Sequence, residues 1–160
     1  MLDKNDETCT ISNGAFLEAV FGHDRADVAT DICPVIVSFK GNPQTIKKGA
    51  WFGRVWNPDD PAPPPDHNNY FSLAVFRPNE AGEYRRQKKQ FVALYAVMLD
   101  DVGTKAPMER LTLAPSWLLE TSPGNYQAGY ILTEPLQDAA IADNLMKSIN
   151  GTQGTSAPKP

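Results

Sequence analysis

The stretch FVALYAVMLDDVGTK, residues 91 to 105, constrains the fold more than any other part of the chain. Phe91 to Leu99 is an apolar run with no polar alternation, so a strand built from it buries both of its faces. Such a strand belongs in the middle of a sheet. The run then ends abruptly in two adjacent carboxylates, Asp100 and Asp101, followed closely by Gly103.

The rest of the chain supplies partners for that strand. Ser12 or Asn13 can cap a short helix with Phe16, Leu17, Val20 and Phe21 on one stripe and Gly22 as its stop, and DRADVAT offers a further helical turn. VIVSF, after Pro34, reads as a buried strand, and NYFSLAVF, residues 69 to 76, as another with Phe71, Leu73 and Val75 on one face. The proline run from Pro58 to Pro65 suits neither a helix nor a central strand, so it predicts a long surface loop. Trp51, Phe52, Val55 and Trp56 are expected to form a satellite cluster beneath that loop, with stacking on nucleic-acid bases as the alternative. RPNEAGEYRRQKKQ predicts a turn and a short helix. PSWLLETSPGNYQAGYIL predicts a hairpin turning at Pro123-Gly124-Asn125. LQDAAIADNLMKSI predicts a helix with Leu136, Ala140 and Leu145 facing the core, Pro135 before it and Gly151 after it. This order gives an α+β domain with a mixed or antiparallel sheet and helices packed on one face.

With 160 residues and 41% hydrophobic content, a single domain over 12–150 is expected, flanked by a flexible N-terminus (1–11) and a flexible tail (151–160). The net charge of -4 argues against a protein that coats nucleic acid by charge alone. No apolar run approaches the roughly 20 residues of a membrane span, and the polar start MLDKNDETCT is no secretory signal, so a cytoplasmic location without membrane partners is expected. Cys9 and Cys33 read as free thiols, in keeping with that compartment. His23 and His67 have no second ligand at metal spacing and read as surface residues.

The carboxylate pair admits two readings. Adjacent carboxylates repel, and a hard divalent cation such as Mg²⁺ or Mn²⁺ relieves the repulsion while bridging to phosphate. Neighbouring side chains of a regular strand point to opposite faces, so both acids reach one site only if the strand distorts or turns at Asp101. The plainer reading is a strand exit with Asx-type hydrogen bonds. The hairpin bend likewise reads as an ordinary turn or as a phosphate cradle of small and polar groups, Ser122, Gly124, Asn125 and Gln127. Lys105 sits close enough in sequence to touch a phosphate, although exposed loop lysines are common. Arg85, Arg86, Lys88 and Lys89 form a basic run that is either a solvated face or a contact to a nucleic-acid backbone.

Taken together, LDDVGTK and PSWLLETSPGNYQAGYIL resemble the archaeo-eukaryotic primase superfamily, in particular the RepB-like replication primases of plasmids, phages and other mobile elements. The resemblance covers residues 69 to 150 and is most specific in TSPGNYQAGYIL. It implies a sheet like that of the RNA-recognition motif (RRM-like) with helices on one face. It implies that Asp100 and Asp101 are metal-binding catalytic acids, using Mg²⁺ or Mn²⁺ for nucleotidyl transfer on a single-stranded DNA template. Ser122, Asn125 and Gln127 would hold the phosphates of a nucleoside triphosphate, and a helicase domain or partner would act alongside. Two departures stand out. Many members have a histidine where this chain has Gln127, and glutamine donates a hydrogen bond without carrying charge. The family's third acid lies on a strand after the last helix, where this chain reads GTQGTSAPKP, leaving Glu120 as the nearest substitute. A non-catalytic nucleic-acid- or protein-binding module built on the same fold is the competing expectation.

Overall fold

The computed structural model describes residues 11–22 and 31–152. The possible second helical turn, His23 and Cys9 lie outside the described residues. Helix α1 (Asn13–Phe21) is followed by strands β1 (Cys33–Phe39), β2 (Arg54–Val55), β3 (Asn68–Phe76), β4 (Phe91–Val102), β5 (Trp117–Ser122) and β6 (Asn125–Leu136), and by helix α2 (Ala139–Thr152). Short 3₁₀ turns occur at Lys48–Trp51, Lys88–Gln90 and Met108–Arg110. The strands form one six-stranded sheet in the order β2-β1-β3-β4-β6-β5. Every neighbouring pair is antiparallel, so the sheet is not mixed.

The apolar run behaves as its composition dictates. β4 lies inside the sheet between β3 and β6, and Ala93 to Ala96 are all buried. On one side, Ala93, Tyr95 and Val75 pack with Leu17, Val20 and Phe21 of α1. On the other, Leu94, Ala74 and Phe76 pack with Ala142, Leu145 and Met146 of α2. The helices therefore cover opposite faces, correcting the expectation that both lie on one face. The cause is β4 itself. A strand apolar on both sides leaves an exposed hydrophobic face unless each side receives a helix.

Local signals account for the ends of the helices. Ser12 caps α1, its Oγ accepting the Ala15 N–H at 3.1 Å. Asp138 does the same for α2, accepting from Ala140 and Ile141. Pro135 is not a helix-starting residue but lies within β6, and α2 runs past Gly151. The inward stripe of α2 is Ala142, Leu145 and Met146, and Ala140 is exposed. The predicted helix before β4 is only the 3₁₀ turn Lys88–Gln90.

Residues 57 to 67 contain turns but neither helix nor strand, and Pro63 is buried, its carbonyl accepting from Asn13 Nδ2 at 2.8 Å. The expected Trp51–Trp56 cluster is split. Trp56 is buried in the α1-side core, whereas Phe52 is 81% exposed. His67 is half-buried, with Nδ1 3.0 Å from Ser38 Oγ, rather than a surface residue. Cys33 is buried, and its Sγ donates to Asn57 Oδ1 at 3.1 Å. Among the described residues, no helix is long and apolar enough to cross a membrane.

Candidate functional site

The end of β4 is distorted where the two acids sit. Leu99 pairs with Ala128 of β6 but Val102 pairs with Tyr126, so β4 carries one residue more than its partner across this interval. The extra length is absorbed at Asp101, whose φ of 56° places it in the left-handed region. Aspartate tolerates that conformation better than most residues because its short side chain bonds locally. Asp100 Oδ1 accepts the Asp101 N–H at 2.9 Å, and the Asp101 carbonyl accepts from the N–H groups of Thr104, Lys105 and Ala106. β4 thus bulges at Asp101 and the chain turns just after Val102, which breaks the regular alternation of side chains at the two acids.

Asp101 also holds a cation. Its Oδ2 lies 2.5 Å from Lys105 Nζ, four residues on. The Lys105 hydrogen bond is the main reason the Asp101 carboxyl is held below its ordinary value, with Asn125 adding to the effect. The Lys105 ammonium is correspondingly raised, first by the hydrogen bond to Asp101 and also by the charge of Asp100. Both side chains are solvent-facing, so this pair contributes little to stability.

The hairpin bend is brought against this turn. Pro123 and Gly124 are the two turn residues between the paired Ser122 and Asn125. Proline sets the first turn position, and Gly124, at φ 73°, supplies the positive φ required at the second. Thr104 Oγ1 donates to Asn125 Oδ1 at 2.5 Å, and Asn125 Nδ2 donates to Thr121 Oγ1 at 3.0 Å. Gly103 lies so near the bend that a β-carbon there would be 2.5 Å from the Gly124 carbonyl oxygen. Glu120 is engaged at the bend itself, its Oε1 accepting the Gly124 N–H at 2.9 Å. Gln127 sits two residues farther along β6, opposite Leu119, and is half-buried. Ser122 is exposed at the bend.

Asp100, Asp101, Ser122 and Asn125 are therefore gathered at one end of the sheet, with Gln127 just inside it. The four basic residues are not there. Arg85, Arg86, Lys88 and Lys89 precede β4, at its opposite end, and a 12-residue strand at ~3.3 Å per residue separates the two groups by roughly 35 Å. Arg85 pairs with Glu83 at 3.0 Å, Lys88 pairs with Asp143 of α2, and Arg86 lines a cleft with Ala142 and Met146. The residues sequence reasoning missed are Thr104 and Thr121. Their hydroxyls tie the turn to the hairpin, and only the register of β4 on β6 reveals it.

As a cation site, the donor set suits a hard metal in type, with two carboxylates on one turn. Lys105 already neutralises one of them, and among the described residues no group of three or more His, Cys, Asp or Glu side chains is placed to hold a metal. Comparison with known proteins gives no neighbour: no family model, no curated protein and no solved structure matches the chain.

Proposed function

We propose that this chain is the catalytic-core part of a primase- or polymerase-like nucleotidyltransferase that uses Mg²⁺ or Mn²⁺. The reading is carried by one observation: the Asp100–Asp101 turn and the SPGNYQ bend are joined by the Thr104–Asn125 hydrogen bond. In this reading, Asp100 and Asp101 hold the cation after Lys105 releases Asp101. A cation held there would supply neutralisation of the phosphates and of the charge that develops on attacking and leaving oxygens. Ser122, Asn125 and Gln127 orient the triphosphate. Lys105, freed from Asp101, stays within reach of a phosphate. Single-stranded DNA is the template, and a helicase domain or partner the natural companion.

Calorimetric titration with Mn²⁺ and a nucleoside triphosphate tests the reading. Wild type is expected to give heat that Asp100→Ala and Asp101→Asn reduce. Identical heats from all three proteins sink it.

A second reading, a non-catalytic nucleic-acid- or protein-binding module of this fold, is favoured by the Lys105 ion pair, which satisfies Asp101 without any metal. It predicts ligand binding that is indifferent to divalent cations in the same titration.

A further inference from the structure

Between residues 40 and 56 the chain carries four cations, Lys40, Lys47, Lys48 and Arg54, and no carboxylate, although its net charge is -4. Lys40 pairs with Asp66 at 2.6 Å. Lys47, Lys48 and Arg54 are exposed and, among the described residues, form no ion pair. This segment is thus net positive in a chain that is net negative.

Aromatic rings occupy the same surface. Trp51 packs against Phe39 and Tyr70, with ring centroids 4.8 and 5.0 Å away, and Phe39 and Tyr70 are stacked at 5.8 Å. This fixed cluster leaves Tyr70 37% exposed. Phe52, next to Trp51, is 81% exposed, although burial is the usual fate of a phenylalanine. Unlike Trp56, it adds almost nothing to the core.

We infer that Trp51, Phe52 and Tyr70, flanked by Lys47, Lys48 and Arg54, form a binding surface for single-stranded nucleic acid. Exposed rings accept unpaired bases whatever their sequence, while unpaired lysine and arginine side chains follow the phosphates. A buried protein interface would more often exclude two adjacent unpaired lysines from its centre. The sheet adds a geometric argument. β1 and β4 are both antiparallel to β3, so they run in the same direction, and the C-terminal ends of both lie at one end of the sheet. Lys40 follows β1, and Asp100 and Asp101 close β4. β3 pairs with β4 through Ala74–Phe76 and Phe91–Leu94, near the start of β4. A strand lying over the rings would lie at the same end of the sheet as the acids, whereas one bound to Arg85–Lys89 would lie at the far end.

This inference deepens the polymerase reading by placing the template strand, but it shares no residue with the carboxylate pair. The test is fluorescence anisotropy of a labelled oligo-dT, in EDTA and low salt. Wild type is expected to bind. Phe52→Ala should weaken binding about tenfold, the weight of one stacked base. Lys47→Glu with Lys48→Glu should weaken it further and flatten the salt dependence by about 0.7 per lost phosphate contact. Lys147→Glu, on the exposed side of α2, should bind as wild type does. All these side chains are exposed, so the substitutions leave the core intact. No binding by wild type, unchanged affinity in both surface variants, or equal binding of duplex DNA would each overturn the inference. Metal heats that are absent from wild type, or identical in wild type and the Asp100 and Asp101 variants, together with retained oligonucleotide binding, would sink the polymerase reading alone.

Discussion

The indole of Trp117, on edge strand β5, lies across Gly129 of β6, its cross-strand partner, and occupies the space that a β-carbon on residue 129 would need. The same ring meets Phe16 of α1 edge-on at 5.4 Å. Gly129 thus lets one outer strand reach the helix-covered core. Gly129→Ala is expected to destabilise the protein by about 1–3 kcal/mol through overpacking. Urea denaturation followed by tryptophan emission measures this, and Trp117→Leu in the same chain should restore part of the loss. A variant as stable as wild type would show that the ring moves away freely.

Asp101 adopts a conformation that β-branched residues resist. Asp101→Val should cost about 1–2 kcal/mol, and Asp101→Asn much less, because asparagine enters the left-handed region readily. Thermal melts of the two variants separate backbone strain from loss of the Lys105 pair, which both substitutions remove. Equal melting temperatures would assign the effect to the pair.

The Asp101–Lys105 pair has a definite pH signature. A carboxyl held below its ordinary value of 3.8 adds stability above that value and loses it as pH falls through the depressed one. The raised Lys105 ammonium contributes fully below its ordinary 10.5 and loses its contribution as pH climbs past the raised value. Lys105→Met should therefore move the Asp101 midpoint upward toward 3.8, as read by carboxyl NMR titration. An unmoved midpoint would show that the pair does not persist in solution.

Asp138 caps α2, which among the described residues alone supplies the helical cover on its face of the sheet. Asp138→Ala should cost about 1 kcal/mol, whereas Asp138→Ser should cost little. Chemical denaturation of the three proteins distinguishes a cap from a merely exposed acid, for which both variants would match wild type.

Much of this fold is legible in the chain because strand periodicity is local. β1, β3 and β4 follow from β-branched and apolar runs, and the hairpin from Pro123-Gly124, since each needs only its own residues. The helices' placement on opposite faces depends on how β4 is shared between two cores. The doubly apolar run implies that arrangement, and the one-face expectation did not follow it through. Pro135 misled because a proline also fits the outer part of a strand such as the end of β6, and Ala140 because the helix begins later than the composition indicates. At the candidate site, a turn at Asp101 could be anticipated as the condition for bringing both acids together. The Thr104–Asn125 link could not, because it depends on a one-residue shift between β4 and β6. The remoteness of Arg85 and its neighbours was implicit in the length of β4. The exposure of Phe52 was not, since the same composition serves a buried cluster equally well.

The two helices bracket the described strands in sequence as well as in space, since α1 precedes β1 and α2 follows β6. Trimming from either terminus therefore strips a cover from one whole side of the sheet rather than shortening an appendage. The smallest autonomously folding unit must keep both helices. A shortened derivative lacking α2 would present Leu94, Phe76 and their neighbours to solvent and tend to self-associate, even with every strand and the entire acid-bearing turn retained.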